Sequence, residues 1–206
     1  MNDRKAVLLA SLRSAARAAT SVIRGSAAGA ACTAHPRHHG SRSLALLTAT
    51  DPGDEVVVPT PAWPNPLSQT ELAGATPVEV PLPAEEGFAF DADRVIDAMT
   101  DRTGAVVLTS PSNPTGRVFD VEEMERVVAA AAERDAYVVA DEVYHELVYE
   151  ESRPRLAAAT DHPERVVTIG SCSKTYAMTG WRVGWLAGPT AVTRPRRRFT
   201  RAPRRA

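Results

Sequence analysis

The chain has 206 residues, 44% of them hydrophobic and 24% charged, with a formal net charge of -1, the balance of an ordinary soluble globular chain. That length can bury a core without staples, Cys32 and Cys172 are too few for a disulfide framework or a four-cysteine zinc site, and no apolar run approaches the roughly 18 residues of a membrane helix. Near-neutrality hides a segregation. Residues 1–50 carry seven basic side chains against Asp3, residues 193–206 carry seven arginines and no acid, and residues 51–192 hold 24 acids against 10 basic residues.

The first 43 residues are rich in Ala, Arg and Ser without a sustained period, and read as a basic, disordered extension. An Arg- and Ser-rich, acid-poor start also has the composition of a targeting segment. His35, His38 and His39 lack the neighbouring carboxylates or thiolates of a metal site, so no metal is expected. From Leu44 the pattern changes. Asp51-Pro52-Gly53-Asp54 is a turn, and residues 55–58 predict a buried strand. A helix is expected over 67–73, ending at Gly74, then a short strand over 77–80 and a helix over 91–99. Residues 105–109 form a continuous apolar strand, and Asp120 caps a helix running to about Arg134 whose acidic first turn suits the helix dipole. Further strands are expected over 136–140, 165–169 and 182–187. Alternating strands and helices predict an α/β fold, a mostly parallel sheet sandwiched between helices in three layers.

In such a sheet, ligands sit outside the carboxyl ends of the strands. Three polar clusters follow three strands: Ser110-Pro111-Ser112-Asn113-Pro114-Thr115-Gly116, Asp141-Glu142-Val143-Tyr144 and Gly170-Ser171-Cys172-Ser173-Lys174. They bring an amide, a carboxylate with a phenol, and hydroxyls with an amine to one edge. Arg182 follows in Gly180-Trp181-Arg182-Val183-Gly184-Trp185. Only Lys5 and Lys174 are lysines, so the acidic middle has one candidate amine. An amine that condenses with an aldehyde, a carboxylate that keeps a pyridine nitrogen protonated and an arginine that grips a phosphate are the set pyridoxal phosphate requires.

The ordered series of Asp-Pro-Gly-Asp, Pro-Ala-Trp-Pro, Ser-Asn-Pro-Thr-Gly, Asp-Glu-Val-Tyr and Ser-x-Ser-Lys with Gly-Trp-Arg-Val-Gly resembles the class I/II aminotransferases, fold-type I pyridoxal-phosphate enzymes, over residues 44–192. The resemblance implies the large domain of such an enzyme, incomplete here, moving an amino group from an amino acid to a 2-oxo acid. It implies that Lys174 is the Schiff-base lysine and proton shuttle and that Asp141 is the partner of the ring nitrogen. Asn113 and Tyr144 would donate to the ring 3-oxygen, Trp63 would stack on the ring, and Ser171, Ser173 and Arg182 would hold the phosphate. A family-like homodimer and, by default, a cytoplasmic location are implied.

Plainer roles exist for each residue. Asn113 before Pro114 suits a turn, Asp141 suits a helix cap, and Tyr144, Trp63 and Trp181 suit a core, the reading preferred for Trp181. Cys172 reads as a packing spacer, with no histidine near it in sequence to activate it, and His162 as a loop residue. His145 sits beside Tyr144, and the sequence leaves open whether it lines the mouth of the pocket. A lyase or decarboxylase on the same scaffold is the alternative chemistry. Nucleic-acid contact by the arginines of 193–206 is the alternative class, disfavoured because only Phe199 accompanies them as a stacking aromatic. The family's glycine-containing phosphate loop and small C-terminal domain have no counterpart here, so a truncated chain of impaired activity is expected, with both basic ends read as out-of-frame translation.

Overall fold

Four segments share one character: Glu55–Thr60, Thr103–Thr109, Tyr137–Asp141 and Val166–Ser171 are runs of valine and other apolar residues, buried along nearly their whole length. Burial on both faces is what the interior strands of a parallel sheet require, because helices cover both sides. The computed structural model describes residues 30–35, 38–149, 154–181 and 183–193, with side chains from Gly40 onward. In chain order its strands are β1 Ala30–His35, β2 Glu55–Thr60, β3 Thr76–Pro81, β4 Thr103–Thr109, β5 Tyr137–Asp141, β6 Val166–Ser171 and β7 Gly184–Pro189. They form one sheet in the order β1-β7-β6-β5-β4-β2-β3. Strands β2 to β6 run parallel, while β7 pairs antiparallel with both β6 and β1. The edge strand β3 is only half-buried and carries Pro77 and Pro81, residues an edge tolerates.

The helices are α1 His38–Ala49, α2 Asn65–Leu72, α3 Ala92–Asp97, α4 Val121–Glu133, α5 Leu156–Ala159, α6 Cys172–Thr175 and α7 Thr190–Thr193. Alternate residues of each strand feed opposite faces. Val57, Val106, Leu108 and Val138 pack with Met124, Val127, Val128 and Ala131 of α4, whereas Val56, Val58, Val107, Val139 and Ile169 pack with Ala45, Leu46 and Ala49 of α1. Asp120 accepts from the backbone N–H of Glu122 at 2.8 Å, the cap its position in the sequence predicts.

The three-layer α/β architecture is therefore as expected, but its beginning is not. The described sheet reaches back to Ala30, upstream of the expected boundary at Leu44, because β1 pairs along β7 and α1 covers one face of the sheet. Backbone pairing rather than side-chain pattern makes β1, whose Ala-Ala-Cys-Thr-Ala-His has no apolar alternation. The expected disorder of the first residues and the arginine tail beyond Thr193 lie outside the described residues, as do the side chains of His35, His38 and His39. No described helix is long and apolar enough to cross a membrane, and no group of metal-ligating side chains is found among the described residues.

Candidate active site

Because β2, β4, β5 and β6 are parallel, their carboxyl ends open at one edge, and β6 turns back into β7 through the segment carrying Lys174. A cleft of about 280 Å³ lies there. It is lined by Trp63 after β2, Asn113 after β4, Asp141 and Tyr144 at and after β5, and Ser171, Ser173 and Lys174 at and after β6. Seven of the eight residues singled out in the sequence thus share one cavity, and the eighth, Arg182, lies outside the described residues.

Lys174 is exposed on α6, its Nζ 5.7 Å from the centroid of the Tyr144 ring. Asn113 Nδ2 donates to the Tyr144 hydroxyl at 3.4 Å, so an amide and a phenol from neighbouring loops converge. Trp63 stands at the rim, half exposed. Ser171 caps α6: its Oγ accepts from the Ser173 backbone N–H at 3.0 Å and donates to the Val183 carbonyl at 3.3 Å. That hydroxyl is held by the fold, and the less buried Ser173 is the freer of the two.

The floor differs from expectation. Asp141, fully buried, accepts a hydrogen bond from Arg42 Nη1 at 2.8 Å, an ion pair in which both side chains are no more than 3% exposed. Arg42 comes from α1 and also donates from Nε to Gln69 Oε1 of α2 at 2.7 Å. Burial lowers the Arg42 pKa from its ordinary value, and the charge and hydrogen bond of Asp141 oppose that shift. Asp141 Oδ1 further accepts from the Val143 backbone N–H at 3.4 Å, so its capping role coexists with the ion pair. Arg42, Thr109 and Thr179 line the cleft without having been singled out in the sequence.

Two neighbouring expectations divide. Cys172 is fully buried, and desolvation pushes its thiol pKa up, as suits a packing residue. Trp181, expected in the core, is 55% exposed, because it lies in the short turn Thr179–Trp181 between α6 and β7 rather than on a strand. His162 is a loop residue with Nδ1 3.5 Å from Glu164 Oε1, and half-buried His145 follows Tyr144 but is not among the lining side chains.

A family model described as aminotransferase class I and II matches residues 29–202. The chain belongs to this family. It is 44% identical over 142 residues to a probable aspartate/prephenate aminotransferase of Thermus aquaticus, covering 69% of this chain and 37% of that protein. An aspartate aminotransferase of Musicola paradisiaca is 37% identical over 150 residues, 72% of this chain and 38% of that protein. Among solved structures, a tetra mutant of Thermus thermophilus aspartate aminotransferase superposes with a TM-score of 0.72 at 39% identity, covering 78% of this chain and 44% of that one. The N-succinyldiaminopimelate aminotransferase of Mycobacterium tuberculosis superposes with a TM-score of 0.73 at 36% identity, covering 79% and 43%. The chain therefore spans less than half the length of these relatives. The match from residue 29 takes in β1, the first described strand.

Proposed function

We propose that this chain forms the cofactor-holding part of an aminotransferase that uses pyridoxal 5'-phosphate to move an amino group from an amino acid to a 2-oxo acid. The observation that carries the reading is the convergence of the Lys174 amine, the Asn113–Tyr144 pair and the Asp141 carboxylate around one cleft at the carboxyl edge of the sheet. The donor set fits the cofactor: an amine for its aldehyde, an amide and a phenol for its ring oxygen, hydroxyls for its phosphate and an indole at the rim. Asp141 and Ser171 depart from it: the carboxylate already holds a guanidinium, and the Ser171 hydroxyl already donates its proton to the Val183 carbonyl.

When bound, pyridoxal phosphate supplies an aldehyde that takes up the amino group and a ring that accepts electrons from the substrate alpha carbon. Lys174 Nζ would hold the aldehyde and, when free, would carry the proton at the substrate alpha carbon. Its place beside the Tyr144 ring keeps the amine near the phenol edge of the cleft. Asn113 Nδ2 and the Tyr144 hydroxyl would donate to the ring 3-oxygen, and Trp63 would stack on the ring. Ser173, with Ser171 and Arg182 by resemblance to the family, would receive the phosphate. A homodimer and a cytoplasmic setting complete the reading by analogy with the family.

The test is incubation of the chain with pyridoxal phosphate, borohydride reduction and peptide mass mapping. A reduced pyridoxyl mass on Lys174 is expected. No adduct, or one of equal yield in Lys174→Ala, refutes the cofactor assignment. With an amino acid added, a 2-oxo acid of unchanged carbon skeleton is expected, and carbon dioxide or an eliminated fragment refutes amino transfer.

A further inference from the structure

The Asn113 amide and the Tyr144 phenol meet at 3.4 Å, the long end of hydrogen bonding, and they come from two different loops. So loose a bond does not hold two loops in place, and the alignment of the pair must be set beneath it. Asn113 lies in the connection between β4 and α4, which is crossed at two levels. Near its tip, the Ser112 N–H donates to the Arg117 carbonyl at 2.8 Å and the Gly116 N–H to the Ser112 carbonyl at 2.9 Å. At its neck, Ser110 Oγ accepts from the Phe119 N–H at 2.9 Å. The upper bonds join backbone to backbone, whereas the bond at the neck depends on a side chain.

Both sides of that neck are anchored. Phe119 is buried in the core with its ring stacked on Phe90, centroids 4.5 Å apart. The Ser110 N–H donates to the Asp141 carbonyl at 3.3 Å, tying the loop to the end of β5 three residues before Tyr144. Ser110 is buried as well, and a buried N–H deprived of its acceptor is costly enough to reshape a loop. We propose that Ser110 is a positioning residue, whose hydroxyl closes the neck and so sets the Asn113 amide against the Tyr144 phenol. This rests on the pyridoxal phosphate reading above, in which that pair would donate to the ring 3-oxygen. Donation draws charge off the oxygen and weakens its hold on the proton it shares with the Lys174 nitrogen, so a displaced amide leaves that proton bound to higher pH.

The experiment binds pyridoxal phosphate to the full chain and follows the absorbance of the Lys174 adduct against pH. Asn113→Ala is expected to raise the midpoint by about 0.7 pH unit, the worth of one net hydrogen bond. Ser110→Ala should raise it by roughly half as much, and Ser110→Thr, which keeps the hydroxyl, should restore it. Combining Ser110→Ala with Asn113→Ala should give the rise of Asn113→Ala alone, because Ser110 acts through the amide. The charged and titratable side chains among the described residues lining the cleft, Arg42, Asp141, Tyr144 and Lys174, are unchanged in all four variants. Circular dichroism checks the fold. An unchanged midpoint in Ser110→Ala, or a rise that adds in full to that of Asn113→Ala, overturns the inference and leaves the cofactor assignment standing. Where Ser110→Ala does not fold, Ser110→Cys, similar in size with a weaker acceptor, takes its place, and failure of both to fold makes Ser110 a residue of the fold alone and overturns the inference. No absorbing adduct in wild type overturns both readings.

Discussion

Gly170 sits opposite Trp185 in the antiparallel pairing of β6 and β7, and the indole lies across the glycine. A Cβ added at position 170 would stand 2.5 Å from Trp185 Nε1 and nearer still to the ring carbons Cε2 and Cζ2. Ordinary contact between such atoms is about 3.5–4.0 Å, so Gly170→Ala forces the ring or the strand to move by roughly 1 Å or more. Trp185 has little room to do so, being 7% exposed with the Arg155 guanidinium 5.6 Å from its ring centroid. Overpacking of this kind costs about 1–3 kcal/mol, which with a urea slope of about 2 kcal/mol per molar lowers the unfolding midpoint by roughly 0.5–1.5 M. Circular dichroism in urea reads the effect without depending on the tryptophan signal. The decisive comparison is the cycle with Trp185→Leu, which removes the clashing ring at a cost of its own. If the clash is the cause, the double variant is more stable than the sum of the single losses by at least about 1 kcal/mol. An unchanged midpoint in Gly170→Ala, or single costs that add to within about 0.5 kcal/mol, refutes the reasoning.

Arg155→Met is expected to cost about 3 kcal/mol in thermal or urea unfolding, because it removes the 2.6 Å partner of buried Glu142 while the Leu156 backbone N–H remains. Glu142→Gln in the same chain should recover part of that loss. Thr168→Val is expected to raise stability by about 1 kcal/mol, since the Thr168 hydroxyl is buried with no hydrogen-bond partner among the described residues. A fall in the melting temperature would contradict it. The Cys172 thiol, raised by burial, keeps its proton in the folded chain at pH values where the unfolded chain has lost it. Its contribution to stability is therefore full below the ordinary thiol range and is lost as pH rises through the raised folded value. Unfolding free energy should fall less steeply on the alkaline side in Cys172→Ala than in wild type.

The parallel strands were legible because burial on both faces leaves little choice but β-branched runs, as in residues 55–58 and 105–109. The same logic located the cleft, since polar residues directly after those runs must gather where parallel strands end. Asn113, Asp141, Tyr144, Ser171 and Lys174 share a cavity for that topological reason. Trp181 was misplaced because a tryptophan at the start of an expected strand looks like core, whereas it belongs to the short turn that precedes β7. Strand β1 was invisible because its reason for existing is the unpaired edge of β7, about 150 residues along the chain.

Arg42 was hidden by the same boundary, yet its signal lay in the sequence. Once residues 38–49 are seen as a helix, Arg42, Ala45, Leu46 and Ala49 fall at the i, i+3, i+4 and i+7 positions of one face, and all four are buried. A single arginine on such a stripe is not a solvated charge. It requires a buried counter-charge, and an acid ending an interior strand can supply one. Asp141 ends β5 beneath α1, and the two side chains meet at 2.8 Å. Through that pair Arg42 joins the first described helix to the carboxylate at the floor of the cleft.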